Sequence, residues 1–371
     1  QDHCAHASSA VSILLIVNSD GAFYSDASCA SQSLTAVTLP EGQCQATVYY
    51  SGSSLGTIPL TASTTDLGLT TSSIFVVGIT KITAGDYHTC ALMNDATVWC
   101  WGYNFWGQLG TGNTLESSSP VQVPGLSNVS DIGTGFAHTC ALINNGTLKC
   151  WGRNNEGQLG LGNTTSVSLP TDVTGLSHVT SLGLVTGGYH TCVTINDGTA
   201  KCWGYNNLGQ VGNGSTSNVN SPTLVNGTDY KVKVVIGNTN TCFLLQNGAI
   251  KCVGGGTSGQ LGDNNGTNNT SLVTVSGFDG TGGQQANAIY GSWTSFCATR
   301  TDNTYWCWGS NGYGMLGDGT GTTRNAPVSI AYGGTIADVS LGGAHKLVAM
   351  SDGSLKANGG NRAGQLGLSF V

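Results

Sequence analysis

Cysteine is the residue type whose spacing carries the clearest chemical signal in this sequence. Ten of the 13 cysteines form five pairs, and the two members of each pair are ten residues apart. Thiolates can bind zinc, but zinc clusters commonly have only about two to four residues between neighbouring cysteines. The wider spacing fits a disulfide across two antiparallel strands. The predicted disulfides join Cys90 to Cys100, Cys140 to Cys150, Cys192 to Cys202, Cys242 to Cys252 and Cys297 to Cys307.

The residues midway between the paired cysteines predict the turns that such disulfides need. Each midpoint is Asp or Asn. A three-residue hairpin loop centred there sets the two cysteines opposite each other, and its third residue takes the left-handed conformation that Gly and Asn tolerate best. Ala96 is expected to be strained in that position. The third residues are Ala96, Gly146, Gly198, Gly248 and Asn303.

A sixth copy of the pattern lacks both cysteines at once. It keeps the loop Ser351-Asp352-Gly353, but Leu347 and Ala357 stand at the two cysteine positions. Residues that pair with each other are expected to disappear together, so this copy favours disulfides over zinc. Disulfides in turn indicate an oxidising compartment, and we expect the protein to be secreted or on an extracellular surface.

Three further cysteines precede the paired ones. Cys29 and Cys44 form the simplest additional pair, which leaves Cys4 on an amino-terminal arm. A leftover cysteine in a secreted protein indicates an intermolecular disulfide or a free thiol, and we favour the intermolecular bond.

Composition excludes several classes of partner. Of the 371 residues, 39% are hydrophobic and only 8% are charged, with a net charge of −7. The hydrophobic content suffices for a core, but no basic surface is available for a phosphate backbone or an anionic membrane. The longest aliphatic run, 13–17, is far shorter than the ~20 residues of a membrane span. We therefore predict no nucleic-acid partner and no membrane insertion.

The residues that could support catalysis do not form a recognisable centre. Histidine recurs at one position in four of the six copies, at His88, His138, His190 and His345, which indicates a local hydrogen bond; Asn240 and Ser295 take this position in the other two. The segment 52–56 matches the hydrolase pattern G-x-S-x-G but lies between two predicted strands, without the required helix. We expect no enzyme activity and no cofactor. Two oxygen-rich loops, 263–268 and 318–320, leave a structural calcium ion as an alternative.

The cysteine pairs belong to a longer repeat of about 50 residues. Each copy continues through a Trp-Gly step, an Asn and a turn such as GQLG, and most copies then have a Pro-containing segment such as SPVQV or APVSI. Tryptophans of the repeat are expected to pack between blades. The six turns occupy 107–110, 157–160, 209–212, 259–262, 314–317 and 364–367.

These motifs resemble the regulator-of-chromosome-condensation type of β-propeller repeat. The similarity covers 81–367 and is carried by AGDYHTCAL…WCWGYNFWGQLG and its copies. The resemblance implies a propeller. Members commonly have seven blades, whereas six motif copies are present here, so six or seven blades are expected. Within the family, the disulfides and acidic balance favour the secreted branch over the nuclear nucleotide exchanger.

The first 80 residues differ in composition from the rest. They contain five acidic residues but neither Lys, Arg nor Trp. Six short strand-like runs separated by turns resemble an Ig-like module of bacterial surface proteins. We predict an all-β chain with a small Ig-like sandwich at 1–80 and a propeller at 81–371. The alternative is that these strands form a seventh, divergent blade.

The predicted function is that of a secreted, non-enzymatic surface protein, structural or adhesive. A missing strand in either domain would leave an edge for strand addition, so self-association into an extracellular fibre is one form of this prediction. The alternative is a soluble propeller that binds or inhibits a protein or glycan through loops on one disk face. The densest aromatic loop, with Tyr103, Phe105 and Trp106, is the first candidate for such a contact.

Overall fold

Every regular element that the structure describes is a β-strand, as the repeats predict. The computed structural model describes residues 78–183, 188–227, 231–362 and 364–367, together with the backbone of six earlier strands. These residues fall into two compact units: one consists of 1–80 with Met93–Asp95, and the other contains the remaining chain. None of the described residues forms a helix of the length and apolar character that a membrane crossing requires.

The amino-terminal unit contains six strands in two antiparallel sheets. They are β1 (Val11–Val17), β2 (Ala22–Tyr24), β3 (Ala36–Leu39), β4 (Tyr49–Ser51), β5 (Gly56–Thr64) and β6 (Gly68–Val76). Four strands form one sheet in the order β3-β1-β5-β6, which differs from the sequential order of a propeller blade, and the other two form a ribbon. Strand β6, which includes Ile74, pairs along its whole length with β5. The Ig-like assignment stays a prediction, and Cys4, Cys29 and Cys44 lie outside the described residues.

The larger unit is a propeller of six blades, each an antiparallel sheet whose strands follow chain order. Five blades have four strands, and the sixth has three among the described residues. Blade 1 consists of β7 (Ile79–Ala84), β8 (His88–Met93), β9 (Val98–Gly102) and β10 (Ser117–Gln122). Blade 2 consists of β11 (Val129–Thr134), β12 (His138–Ile143), β13 (Leu148–Gly152) and β14 (Val167–Asp172). Blade 3 consists of β15 (Val179–Gly183), β16 (His190–Ile195), β17 (Ala200–Gly204) and β18 (Val219–Leu224).

The remaining three blades follow the same plan. Blade 4 consists of β19 (Lys231–Ile236), β20 (Asn240–Leu245), β21 (Ile250–Gly254) and β22 (Asn269–Thr274). Blade 5 consists of β23 (Ala286–Gly291), β24 (Ser295–Arg300), β25 (Tyr305–Gly309) and β26 (Arg324–Ile330). Blade 6 consists of β27 (Ile336–Leu341), β28 (His345–Met350) and β29 (Leu355–Gly359). The predicted Pro-containing segments are therefore the fourth strands of their blades.

Disulfides join the second and third strands of blades 1 to 5, which confirms the predicted pairing. Cys90 lies opposite Cys100 in the strand register, and their Cα atoms are 4.1 Å apart. The other four pairs repeat this geometry. In blade 6, Leu347 lies opposite Ala357 in the same register. The disulfide and its apolar replacement therefore occupy one cross-strand position.

The hairpin loops between these strands confirm the predicted left-handed residue. Gly146 has a φ of 81°, and Ala96 takes the same conformation with a φ of 64°. In that conformation the Cβ atom of an L-residue lies too close to the following carbonyl oxygen. This contact costs about 1–2 kcal/mol. Ala96 is therefore the strained member of the series.

The hydrophobic core lies between successive blades. The fully buried Trp151 of blade 2 packs with Leu92 and Leu109 of blade 1. Gly110 allows this approach, because a Cβ atom there would lie 2.6 Å from the Trp151 indole nitrogen. Trp203 and Trp308 fill the corresponding position in later blades. The predicted packing role is confirmed for Trp151, Trp203 and Trp308, whereas Trp101 of blade 1 is only partly buried.

Candidate functional site

Three of the four repeated histidines join neighbouring blades and are not gathered at one site. The Nε2 atoms of His88, His138 and His190 lie 2.8–3.0 Å from a threonine hydroxyl of the following blade. The fourth, His345, is partly buried on β28 of blade 6. Burial lowers the pKa of His88 to about 4 and is the largest cause that lowers the pKa values of His138 and His190 to about 3. These three histidines are therefore neutral at physiological pH. Each one supplies the local hydrogen bond that the sequence predicts.

The same threonines continue the connection to the turn of the preceding blade. Thr139 donates to the Gln108 carbonyl at 2.9 Å, and the Trp151 indole donates to the same carbonyl at 2.9 Å. Thr191 and Trp203 bind the Gln158 carbonyl in the same way. We call this arrangement the interblade clamp. It accounts for the repeated His-Thr, Trp and GQLG motifs as structural devices.

The clamp changes in the second half of the propeller. Phe296 of blade 5 stands where blades 2 to 4 have threonine, and Asn240, which replaces the histidine of blade 4, is buried with no hydrogen-bond partner for its side-chain amide. In blade 6 the position is Lys346, which is fully buried and donates to the Leu316 carbonyl at 2.8 Å. Its ammonium lies 5.0 Å and 5.4 Å from the ring centres of Tyr305 and Tyr332. Burial lowers the pKa of Lys346 to about 7.

The loop that the sequence singled out lies within a larger aromatic surface. Tyr103 and Phe105 are 38% and 60% exposed, and Trp106 is partly buried beside them. Ring contacts extend from this loop to blades 2 and 3. We call this surface the aromatic face; it comprises Tyr87, Tyr103, Phe105, Trp106, Phe136, Tyr189 and Tyr205, together with Arg153.

A fixed backbone frame holds the aromatic face. The residue after the third strand donates its amide to the carbonyl of the residue before the second strand, as Tyr103 does to Tyr87 at 2.8 Å. The loop that follows is held by the buried Asn104, whose amide oxygen accepts from the Leu109 backbone and whose amide nitrogen donates to two loop carbonyls. Phe105 and Trp106 therefore project from a rigid loop.

A pocket of about 280 Å³ opens in the aromatic face. It is lined by Tyr87, Tyr103, Trp106, Phe136 and Ala137. Tyr87 meets Tyr103 and Phe136 edge-on, with ring centres 6.0 Å and 6.2 Å apart. The rings therefore stand at steep angles to one another as walls of the pocket.

Arg153 is the cation of the aromatic face. Its guanidinium lies 5.6 Å, 5.8 Å and 5.2 Å from the ring centres of Trp106, Phe136 and Tyr189. It also donates to Glu156 at 2.7 Å. Burial raises the pKa of the Tyr189 phenol, while Arg153 opposes that shift. The aromatic face therefore combines the stacked rings of Phe136 and Tyr189 with an Arg153 guanidinium whose charge is balanced by Glu156.

In blades 4 to 6, small or polar residues stand at the positions equivalent to Tyr87 and Tyr103. The same backbone hydrogen bond joins Gly255 to Thr239, Ser310 to Thr294 and Gly360 to Ala344. Isolated rings occur nearby, notably Tyr313, which is 61% exposed and occupies the position of Trp106 in the repeat. The aromatic face is therefore a property of blades 1 to 3, not of the fold.

Charged side chains also line the inner strands of the propeller. Lys81 of blade 1 forms an ion pair with Asp131 of blade 2. Lys233 of blade 4 packs 5.5 Å from the Tyr290 ring centre, and burial lowers its pKa despite the opposing influence of Asp338. Two solvent-open cavities of about 290 Å³ and 370 Å³ lie along these strands.

Carboxylates at the hairpin turns have structural partners. Thr199 donates side-chain and backbone hydrogen bonds that hold the pKa of Asp197 below its ordinary value, and Thr304 does the same for Asp302. Asp318, in one predicted calcium loop, accepts from Asn311 and Arg324. Within the described residues, no three side chains of His, Cys, Asp or Glu converge as metal ligands. A structural calcium ion stays a prediction.

Sequence reasoning missed most of the aromatic face and Lys346. The predicted loop contained three aromatic residues, but Tyr87, Phe136 and Tyr189 lie on different loops about 50 residues apart. Aligning the copies by column would have shown Tyr87 and Tyr189 just before the repeated histidines. The same alignment would have placed Lys346 among threonines.

Comparison with known proteins places these repeats in a family. The profile of the Regulator of chromosome condensation (RCC1) repeat matches residues 95–142, 145–194, 197–244 and 302–349, which together make up more than half of the chain. A second profile of this repeat matches residues 79–108 and 129–158. The Ultraviolet-B receptor UVR8 of Arabidopsis thaliana is 49% identical over 45 residues, which are 12% of this chain and 10% of that protein.

Solved structures share the fold at low sequence identity. Prp20p from Saccharomyces cerevisiae superposes with a TM-score of 0.67 at 21% identity, covering 79% of this chain and 74% of that chain. Human WBSCR16 gives a TM-score of 0.66 at 18% identity, covering 92% and 99% of the two chains. With its repeats, interblade clamps and profile matches taken together, this chain belongs to the family of Regulator of chromosome condensation (RCC1) repeat proteins.

Proposed function

We propose that this chain is an extracellular, non-enzymatic protein that binds a protein partner through the aromatic face. The observation that carries the proposal is the concentration of seven aromatic side chains and Arg153 on the loops of three neighbouring blades. Aromatic residues and arginine are the side chains most enriched in interface hot spots.

Two further observations support this proposal. Phe105 and Tyr87 are 60% and 65% exposed, and exposed apolar clusters commonly mark interaction sites. Relatives with this fold are known in complexes: yeast RCC1 (Prp20) has been solved bound to Kap60, and Prp20p is described with binding to Gsp1p and histones. Five disulfides favour an oxidising compartment for the present chain.

Site-specific photocrosslinking tests the proposal. A photoreactive phenylalanine analogue would replace Phe105 in one variant and Tyr313 in another, two positions with exposures of 60% and 61%. In native extracellular material, we expect a discrete protein adduct from position 105 and none from position 313. Equal adducts from both positions, or none from position 105, would contradict binding through the aromatic face.

A second candidate function is that of a fibre subunit assembled by strand addition. The observation that favours it lies on β29 of blade 6, where the apolar side chain of Leu355 is 62% exposed. An exposed apolar strand is a template for a strand from another chain.

Electron microscopy of the native material separates the two candidates. Regular filaments that are lost in a Leu355→Lys variant would support strand addition, because a charge on an edge strand opposes further pairing. Loss of filaments under reductant would implicate an intermolecular cysteine, with Cys4 as the first candidate. Isolated disks under all conditions would leave only the binding function.

A further inference from the structure

The pocket in the aromatic face has an unusual lining. Four of its five lining residues are aromatic, and the fifth is Ala137. The edge-on contacts of Tyr87 with both Tyr103 and Phe136 set these rings as walls. A flat aromatic platform suits the broad face of a sugar ring, whereas walls of this kind suit a compact group that several rings contact at once.

The chemistry of aromatic rings selects the charge of such a group. Ring faces carry partial negative charge and attract ammonium and guanidinium groups, and enclosures of several rings bind alkylated ammonium groups. No Lys or Arg side chain lines the pocket itself. Two of the lining rings, Trp106 and Phe136, already lie within 6 Å of the Arg153 guanidinium, so this face holds one cation within the protein itself.

The neighbouring charges do not oppose a second cation. Arg153 is paired with Glu156 at 2.7 Å. Asp86 and Glu156 both raise the pKa of Tyr189, while Arg153 lowers it, so two carboxylates and one guanidinium surround this part of the face. A cationic group entering the pocket would meet four aromatic rings, close to two carboxylates and to a guanidinium that is itself paired.

We propose that the pocket of Tyr87, Tyr103, Trp106 and Phe136 binds a lysine side chain of the protein partner, including its methylated forms. This inference rests on the proposed binding function and identifies the group that the aromatic face recognises. The surrounding exposed rings would then pack against the apolar surface next to that lysine.

The test measures the preference of the pocket for positive charge, without any partner. Choline and 3,3-dimethylbutanol have nearly the same shape, but only choline carries a charge. Their binding to the full chain is compared by ligand-observed NMR at constant ionic strength. We expect choline to bind about three- to thirtyfold more tightly, which is the range of cation–π interactions. A Tyr87→Leu variant is expected to lose this preference, whereas Tyr87→Phe keeps it because the ring face is retained.

Tyr313→Leu is the matched control, because Tyr313 is about as exposed as Tyr87 but lies in blade 5. It should bind choline like the unmodified protein. Equal binding of the two probes, preference for the neutral probe, no binding of either, or binding of methyl glucoside in place of choline would each overturn the inference. Those outcomes would leave the crosslinking test of the binding function intact, so the two proposals fail separately.

Discussion

Blades 1 to 3 and blades 4 to 6 have the same backbone but different surfaces and clamps. The same hydrogen bond joins Tyr103 to Tyr87 in blade 1 and Gly255 to Thr239 in blade 4. The first half presents aromatic side chains on this frame, and the second half presents small or polar ones. The backbone hydrogen bond is therefore common to all the blades, whereas the side chains at these positions differ from blade to blade.

The buried positions show a parallel difference. Three neutral histidines meet threonines between blades 1 and 4, whereas Asn240 meets no hydroxyl and Lys346 takes the place of a threonine in blade 6. The two halves therefore bury different titratable groups. Their responses to pH, to truncation and to new side chains should differ accordingly.

Acid should have the largest effect and should act on the first half. The three buried histidines have folded pKa values of about 3–4, below the ordinary 6.5, so their contribution to stability is complete above pH 6.5 and is lost as the pH falls towards 4. Each contributes up to about 1.4 kcal/mol per pH unit in this window. In urea unfolding at several pH values, His138→Asn should lower the slope by about a third. An unchanged slope would contradict neutral burial.

Alkali should act on the second half. The folded pKa of Lys346 is about 7, below its ordinary 10.5, so the free energy of unfolding should rise with pH between these values and stay level below 7. The slope should be about 1.4 kcal/mol per pH unit for this one group. The same urea titrations should show no such rise in Lys346→Met. A rise that persists in this variant would assign it to another group.

Truncating a clamp tryptophan should be more costly than truncating its aliphatic counterpart. Trp203→Ala removes a fully buried ring and its hydrogen bond to the Gln158 carbonyl, and it should cost about 3–5 kcal/mol. Val253→Ala in blade 4 removes fewer buried atoms at the same position. Urea midpoints and slopes of the two variants provide the comparison, and equal losses would show that neither the larger ring nor its hydrogen bond adds stability.

Adding a disulfide to blade 6 should make it resemble the other blades. Leu347 and Ala357 lie opposite each other in the register that the cysteine pairs occupy, so Leu347→Cys with Ala357→Cys should form a bond without reshaping the sheet. The closed loop is short, and the expected gain is at most about 3 kcal/mol. Mass spectrometry after alkylation detects the bond, and the difference in melting between the oxidised variant and the oxidised unmodified protein measures the gain. Free thiols in the oxidised protein would contradict the shared geometry.

Adding an aromatic ring to blade 5 should have the smallest effect. Gly312 occupies the position of Phe105, and a Cβ atom there would meet no atom within 4 Å. Gly312→Phe should therefore change the free energy of unfolding by no more than about 0.5 kcal/mol, as is usual for surface substitutions. Urea unfolding checks this value. A larger decrease in the free energy of unfolding would show that the loop backbone restricts which side chain can stand at position 312.

The sequence predicted the repeating parts well because repetition is itself physical information. Cys90 and Cys100 recur at one spacing, and only a cross-strand pair explains their joint replacement by Leu347 and Ala357. The repeat shows the position of Tyr87 but not its contact with Phe136, since the two rings come together only when neighbouring blades meet. Lys346 was missed for a related reason: its burial follows from the blade beside it, not from its neighbours in the chain.

The direction of the interblade clamp has a consequence for synthesis on the ribosome. The Gln108 carbonyl of blade 1 accepts hydrogen bonds from Thr139 and Trp151 of blade 2, which lie 31 and 43 residues further along the chain and are therefore synthesised later. A newly synthesised blade therefore lacks these hydrogen bonds until the next blade has been translated. Until then, the surface on which the next tryptophan packs stays exposed. We expect structure to advance from the amino end in steps of one blade, so that a stalled chain exposes one unfinished edge and not a wholly unfolded ring.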